Sequence, residues 1–218
     1  MLSDHWPLLG LRLRTERLEL RLPQGEELAE LAELAARGVH PPERMPFLVP
    51  WTDLEPGARA RSVVQHFWRC QGEWTPDSWD LNLAVFAEGR AVGLQSIGAR
   101  DFAVLREVGT GSWLGLDHQG QGIGTEMRAA VLELAFAGLG AEYALSGAFS
   151  DNAASFAVSR KLGYLDDGVH RAVVRGAPVT ERRLRLPRAL WQARPRRPHL
   201  VIEGLEPCYD LFGLQSEG

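Results

Sequence analysis

Alternation of apolar and polar residues, the period of half-buried β-strands, together with flanking turn residues predicts seven strands along the chain. A second pattern, with apolar residues every three or four positions, predicts about four helices. The predicted strands cover residues 11–22, 81–87, 92–99, 108–116, 143–149, a run beginning at 164, and 180–186, and the predicted helices lie around 28–35, 58–74, 122–139 and 152–162. The alternation changes phase near Thr15, which predicts a bulge in the first strand.

The junction between the strand 108–116 and the helix 122–139 carries three glycines, Gly120, Gly122 and Gly124. Glycines allow a sharp turn and a close approach of backbone to ligand. The first turn of a helix also offers unpaired N–H groups with a partial positive charge. The junction is therefore predicted to bind an anion such as a pyrophosphate.

Three kinds of glycine-rich loop compete for this junction. A P-loop needs a lysine, but Lys161 is the only lysine in the chain. A dinucleotide-binding loop would need glycine where Thr125 stands. The pattern that fits is Gln/Arg-x-x-Gly-x-Gly/Ala, with Gln119, Gly122 and Gly124 in the fixed places. This loop resembles the coenzyme A loop of the GCN5-related N-acyltransferases (GNAT).

Flanking segments extend the resemblance to the branch of RimJ and RimL, the ribosomal-protein N-acetyltransferases. They are Ser-Trp-Leu-Gly at 112–115, Asp-Asn-Ala-Ala-Ser at 151–155 and Lys-Leu-Gly-Tyr at 161–164, within a similarity over residues 11–190. The chain looks most like actinobacterial members, some of which use succinyl-CoA. The resemblance implies the α/β GNAT fold, a mixed and mostly antiparallel sheet of about seven strands flanked by about four helices.

The resemblance also implies an N-acyltransferase that moves an acetyl or succinyl group from acyl-CoA to a primary amine. The amine can belong to a protein N-terminus, a lysine or a small molecule. A catalytically inactive acyl-CoA-binding module is the alternative.

The resemblance assigns coenzyme A to particular residues. Backbone groups of Leu114 and Leu116 would hold the pantetheine arm as an added strand. Asn152 would bind the pantetheine or acyl region, and Ser155 would protonate the leaving thiolate. The pyrophosphate would lie on the amides of Gln119, Gly120, Gln121, Gly122, Ile123, Gly124 and Thr125. For Asn152 and Ser155, a structural role in the first turn of a helix capped by Ser150 or Asp151 stays open.

The general base is not found by the resemblance. RimL-like enzymes carry a glutamate on the strand after the Gly-Tyr turn, where this chain has Val173 and Val174. Glu107, Asp101 and His118 are alternatives, and histidine changes its charge most readily near neutral pH. His118 is therefore a candidate base, without a firm assignment.

The loop over residues 39–51 is expected to line the acyl pocket, as it does in the resembling family. Phe47 and Trp51, with Met45 and Val49, would give an apolar wall for an acetyl group. His40 and Arg44 flank this set and would pair with the carboxylate of a succinyl group, which is costly to bury alone.

Composition narrows the remaining possibilities. The 218 residues are 45% hydrophobic with a net charge of −4, so no overall positive field favours nucleic acid. Cys70 and Cys208 lack metal-ligand spacing, and no metal is expected. Without a signal peptide or an apolar run that spans a bilayer, a cytoplasmic protein and no membrane partner are expected. The expected domains are an acyltransferase over 1–191 and an extension over 192–218, which would add a strand or an oligomer contact.

Overall fold

The computed structural model describes residues 1–195 and 199–215. Its sheet is built from nine strands. They are β1 Arg12–Arg14, β2 Leu18–Arg21, β3 Ser78–Ala87, β4 Arg90–Arg100, β5 Glu107–Leu114, β6 Tyr143–Phe149, β7 Leu165–Val174, β8 Ala177–Pro187 and β9 Val201–Glu203.

Helices connect and cover these strands. They are α1 Leu2–His5, α2 Glu26–Arg37, α3 Pro56–Gly72, α4 Phe102–Leu105, α5 Ile123–Glu133, α6 Ala153–Leu162 and α7 Arg188–Gln192. The helix α5 continues into a π-helical turn over Leu134–Gly138, and 3₁₀ turns lie at Pro7–Gly10, Trp51–Asp53, Leu116–His118 and Glu206–Phe212.

The strand order is β7-β8-β6-β5-β4-β3-β2-β1-β9. Every neighbouring pair is antiparallel except β5 and β6, which are parallel. This arrangement confirms the predicted mixed, mostly antiparallel sheet flanked by helices. It has nine strands where the sequence predicted about seven.

One extra strand comes from the segment over residues 11–22, for which the prediction of a single bulged strand was wrong. The backbone N–H of Thr15 donates to the carbonyl of Leu18 at 2.9 Å, and Arg14 lies opposite Glu19. The change of phase near Thr15 therefore marks a chain reversal between β1 and β2.

The other extra strand comes from the C-terminal segment. The strand β9 pairs antiparallel with β1, and Cys208 and Phe212 behind it are fully buried. The ring of Phe212 packs 4.9 Å from that of Trp79, and the indole N–H of Trp74 donates to the carbonyl of Leu211 at 2.8 Å. Residues 201–212 of the extension thus pack against the rest of the fold, while residues 196–198 of the predicted basic linker lie outside the described part.

The two faces of the sheet carry different helices. Along β3, Leu83 and Val85 belong to the core cluster that contains α5. Ala84 and Phe86, which alternate with them, pack with residues of α2 instead. Because successive side chains of a strand point to opposite faces, α5 and α6 cover one face and α2 and α3 the other.

Candidate active site

The sheet opens between its two parallel strands. Residues Glu107–Gly109 of β5 pair with Tyr143–Leu145 of β6, and the pairing stops there. Beyond this point β5 pairs only with β4 and β6 only with β8. Residues 110–114 of β5 therefore present a backbone edge that no strand of the described chain covers, and an extended ligand can pair with such an edge.

Alternation along β5 gives the opening two different walls. Ser112 contacts α5 through Arg128, and Leu114 lies near Gly124 of the same helix. Trp113 points to the opposite face, where its ring lies 5.9 Å from that of Trp51. Gly109 and Gly111 share the face of Trp113, so that face of the opening carries little side-chain bulk.

The strand β5 ends two residues earlier than predicted. Leu116 was expected on the strand, but it starts a 3₁₀ turn, and its N–H donates to the carbonyl of Gly38 at 3.3 Å. The side-chain amide of Gln119 donates to the carbonyls of Leu114 and Val39, at 3.0 and 2.8 Å. These bonds turn the chain out of the sheet and fix the glycine loop to the loop that begins at Gly38.

The glycine loop presents a row of unused backbone donors. The N–H groups of residues 120–124 have no hydrogen-bond acceptor among residues 1–195 and 199–215, whereas the N–H of Thr125 already donates to the carbonyl of Gly122 at 3.1 Å. Gly120 and Gly122 have φ of 74° and 82°, in the left-handed region that glycine tolerates. Consecutive free N–H groups at a helix start form an anion site.

An ion pair braces this loop from outside. The guanidinium of Arg17 donates to the carboxylate of Glu126 at 2.8 Å and to the carbonyl of Gln121 at 3.3 Å. The hydroxyl of Thr15 also donates to that carboxylate, at 2.5 Å. Burial would raise the pKa of Glu126, but the hydrogen bonds from Thr15 and Arg17 lower it overall. The turn between β1 and β2 therefore holds the start of α5 in place.

Helix α6 begins one residue later than predicted, with Asn152 as its cap. The Asn152 carboxamide oxygen accepts from the N–H of Ser155 at 3.1 Å, so the caps considered at Ser150 and Asp151 are not used. The half-buried Ser155 lies one turn before the fully buried Ser159. Residues four apart share a helix face, so Ser155 lies on the face that Ser159 turns toward α5.

A buried arginine spans the two separated strands on the α5 face. Arg128 is 5% exposed, and its guanidinium donates to the hydroxyl oxygens of Ser112, Ser146 and Ser159, each at 3.2 Å. Its Nε has no partner in the described chain, and no described carboxylate pairs with it. Burial lowers the pKa of Arg128, yet a guanidinium stays charged in proteins. Arg128 could not be recognised from the sequence, because it lies within an otherwise ordinary helical pattern.

A carboxylate lies on the opposite face of the opening. Glu181 of β8 stands over Gly147 of β6, where any side chain would collide with it, and its Oε2 lies 3.8 Å from Nδ1 of His170. Glu181 lines an open cavity of about 220 Å³ together with Gly109, Ser146 and Gly147. The structure therefore brings a carboxylate to the point where β5 and β6 separate.

Sequence reasoning missed Glu181 because it looked for the base on β7. Val173 there is 73% exposed and Val174 is buried. The carboxylate comes from the strand that pairs with β7. One signal was present, since Glu181 is the only acidic residue between positions 168 and 202.

The other candidate bases lie in different surroundings. Glu107 forms an ion pair with Arg185 at 2.9 Å. Asp101 lies in the turn that starts α4, beyond the end of β4. His118 ends the 3₁₀ turn after β5 and packs beside Gly115, at the glycine-loop end of the opening.

The loop after α2 forms an aromatic wall on the α2 face. The rings of Phe47 and Trp51 lie 5.3 Å apart, and Trp51 continues the row to Trp113. The His40 ring has both nitrogens engaged, Nδ1 at 2.8 Å from the Pro41 carbonyl and Nε2 at 2.7 Å from the Thr52 hydroxyl. Arg44 is exposed.

An ion pair between Asp53 and Arg175 joins this loop to the turn between β7 and β8. Within residues 1–195 and 199–215 no group of metal-binding side chains occurs. In the same residues no helix has the length and apolar character needed to cross a membrane.

The profile of the family described as "Acetyltransferase (GNAT) domain" matches residues 17–165. The chain belongs to the GNAT acetyltransferase family. This finding confirms the resemblance seen in the glycine loop and its flanking segments. As a GNAT acetyltransferase, the chain needs a place for an acyl-CoA thioester, and the opening with its row of free amides is the candidate.

Solved structures share this GNAT fold over most of their length. RimJ from Mycobacterium smegmatis, in complex with CoA-disulfide, is 18% identical with a TM-score of 0.69, covering 93% of this chain and 94% of that chain. The ribosomal-protein α-N-acetyltransferase RimL is 18% identical with a TM-score of 0.60, covering 79% and 91%. The microcin self-immunity acetyltransferase MccE, in complex with acetyl-CoA and AMP, is 20% identical with a TM-score of 0.59, covering 79% and 93%. Identities this low show the shared fold alone.

Proposed function

We propose that this GNAT acetyltransferase transfers an acetyl or succinyl group from coenzyme A to a primary amine, with Glu181 as the general base. One observation carries the proposal. The uncovered edge of β5 runs from the free amides of residues 120–124 to the point where Glu181 stands over Gly147. An anion site, an extended groove and a carboxylate therefore lie along one line.

The dimensions of the groove suit coenzyme A. The pantetheine arm is about as long as four residues of extended chain, roughly 13 Å. Residues 110–114 of the uncovered edge span four residue steps. With its pyrophosphate on the free amides, a coenzyme A molecule lying along this edge would bring its thioester near Thr110 and Ser112.

The reaction forms a C–N bond and breaks the C–S bond, whose electron pair leaves with sulfur. The amine would approach from the face of Trp113, where Gly109, Gly111 and Gly147 leave space. Glu181 would accept the proton that the amine loses, and the nearby His170 would help to hold that carboxylate. On the α5 face, Ser155 would donate a hydrogen bond to the leaving sulfur.

This placement favours Glu181 over His118 as the base. His118 lies six to eight residues after the proposed thioester position near Thr110 and Ser112, in the 3₁₀ turn at the glycine-loop end of the opening. A general base must lie within hydrogen-bond reach of its proton. The presence of Glu181 also weighs against the alternative of an inactive binding module, which rested on the missing glutamate.

His40 and Arg44 were both proposed to bind the carboxylate of a succinyl group, and their contacts favour one of them. Both ring nitrogens of His40 are used within its own loop. Arg44 is exposed beside the aromatic wall, with no ion-pair partner in the part of the chain that the structure describes. Arg44 is therefore the better of the two proposed partners. Calorimetry with succinyl-CoA and acetyl-CoA tests it: a succinyl preference that survives Arg44→Ala would remove Arg44 from this role.

The experiment for the main proposal is a thiol-release assay with acetyl-CoA or succinyl-CoA against a panel of peptide α-amines, lysine peptides and small amines. We expect amine-dependent release by the wild type. Glu181→Gln should lower kcat/KM by about 100-fold or more, the range for loss of a general base, while coenzyme A affinity stays unchanged.

Glu33→Gln is the matched control, since Glu33 is an exposed carboxylate on α2. It should behave as the wild type. Tight coenzyme A binding without turnover on any amine would favour the binding module instead. Activity of Glu181→Gln within threefold of the wild type would show that Glu181 is not the base.

A further inference from the structure

No carboxylate of the described residues pairs with the positive charge of Arg128. A buried cation without an anion is expensive, because burial removes its hydration. Replacing such a group by an apolar residue often leaves a protein equally or more stable. Three serine hydroxyls solvate Arg128, and its Nε stays without a partner. A stability role alone does not account for this arrangement.

Arg128 also determines whether the three serine hydroxyls donate or accept further hydrogen bonds. A guanidinium only donates hydrogen bonds, so it occupies an acceptor position on each oxygen. The protons of Ser112, Ser146 and Ser159 must then point away from the guanidinium. They are left as donors around the opening, with a positive charge behind them. Such an arrangement suits a negative charge and offers little to a neutral apolar group.

The position of the cluster matches one atom of the proposed ligand. Ser112 lies on β5 three residues beyond the last pair with β6, and Ser146 lies one residue beyond it on β6. The guanidinium therefore spans the gap where the strands have just separated. If coenzyme A lies along residues 110–114, as the proposed function requires, its sulfur comes to this gap.

We propose that Arg128 and the hydroxyls of Ser112, Ser146 and Ser159 form a thiolate site, which stabilises the sulfur of coenzyme A as an anion when the C–S bond breaks. The inference rests on the proposed function. The electron pair of the C–S bond stays on sulfur, and the proton released by the amine goes to Glu181 on the other face. No proton has to reach sulfur during bond cleavage, and the coenzyme A product binds as its thiolate.

Other charged and titratable groups face the same gap. On the α5 face the phenol of Tyr164 lies 3.4 Å from the hydroxyl of Thr110, and burial raises the pKa of Tyr164, which keeps it neutral. On the other face, Glu181 and His170 lie together, while Arg183 and Arg185 pair with Asp167. Also on the α5 face, the guanidinium of Arg182 lies over the ring of Phe156 of α6 and pairs with Asp166. Arg128 is thus the charge on that face that no described carboxylate balances.

The test measures the pKa of the bound thiol. Calorimetry gives the affinities of coenzyme A and desulfo-coenzyme A, which lacks only the thiol, from about pH 6.5 to pH 10, above and below an ordinary thiol pKa of about 8.5. The phosphates and the adenine cancel in the ratio of the two affinities. If the site stabilises the thiolate, the affinity of coenzyme A relative to that of desulfo-coenzyme A should rise by about tenfold or more from the low to the high end of this pH range. Such a rise corresponds to a lowering of the thiol pKa by about one unit or more on binding.

Arg128→Met should abolish that tightening without lowering the thermal stability of the free protein, whereas Arg128→Lys, which keeps the charge, should restore part of it. Arg61→Met, an exposed arginine on α3, controls for net charge. If the affinity ratio of the wild type does not change with pH, the proposal fails, and no variant is needed to show it. The proposal also fails if the affinity ratio rises with pH as much in Arg128→Met as in the wild type. It fails likewise if that variant loses much thermal stability while its affinity ratio stays that of the wild type. If neither ligand binds the wild type, the proposed function itself fails.

Discussion

The most direct perturbation of the anion site is Gly122→Val, compared with Gly124→Ala. Gly122 has φ of 82°, where a Cβ costs about 1–2 kcal/mol and a β-branched residue more. The loop would relieve this strain by rotating its peptide groups, which turns the free amides of residues 120–124 away from a common centre. A hydrogen bond to a charged group contributes about 1.5–3 kcal/mol. Misdirecting one such bond therefore raises the Kd for coenzyme A by about tenfold or more.

Gly124 is the matched position. A Cβ there would meet Val158 at 3.6 Å and Leu114 at 3.8 Å, which are ordinary contacts in a helical turn. Gly124→Ala should therefore keep the affinity within about threefold and raise stability by up to about 1 kcal/mol, since glycine weakens helices. Calorimetry gives the Kd values and thermal unfolding shows that each variant is folded. An unchanged Kd in folded Gly122→Val, or an equal loss in Gly124→Ala, would refute the anion site.

Three further variants test other parts of the site and the fold. Ser155→Ala should lower kcat with a smaller effect on the Kd for coenzyme A, because its hydrogen bond to sulfur matters most in the transition state; an unchanged kcat with a raised KM would make it a binding residue. Phe212→Ala removes a fully buried ring and should cost about 3–5 kcal/mol of unfolding free energy, whereas Val201→Ala on the exposed face of β9 should cost about 0.5 kcal/mol; a small loss for Phe212→Ala would mean that the tail is not part of the core. The folded pKa of Glu126 is lowered below its ordinary value near 4.5. The stability that its carboxylate adds is therefore present above about pH 4.5 and is lost as pH falls through the folded pKa. Glu126→Gln should therefore be less stable by about 1 kcal/mol at neutral pH, after allowance for screening of the exposed Arg17, and the difference should shrink in urea titrations below about pH 4; a difference independent of pH would contradict this.

The parts of the structure that were predictable depend on local patterns. The glycine loop could be found because Gly120 and Gly122 need positive φ and because a strand period changes to a helix period around them. The helices α5 and α6 begin within one residue of the predicted positions. Their apolar spacing and the left-handed cap at Gly163 are properties of a few neighbouring residues.

The parts that were missed depend on contacts between distant residues. Glu181 becomes a candidate base only because β8 lies between β6 and β7 in the sheet, an order that strand periodicity does not give. Arg128 occupies an apolar position of an ordinary helix pattern, and its role depends on serines from β5, β6 and α6. The end of β5 at Leu114 depends on the side chain of Gln119 and on the carbonyl of Gly38, which lies far away in the sequence.

The pairing of β9 with β1 has a consequence for how the protein folds during synthesis. Residues 12–14 leave the ribosome long before their partners at 201–203 exist. The aromatic cluster around Trp79 likewise stays incomplete until Phe212 arrives. Contacts of such long sequence separation form late and leave apolar surface open in the meantime. The partly synthesised chain should therefore expose apolar surface until residues 201–212 are made, and a change in tryptophan fluorescence should mark a late step of refolding.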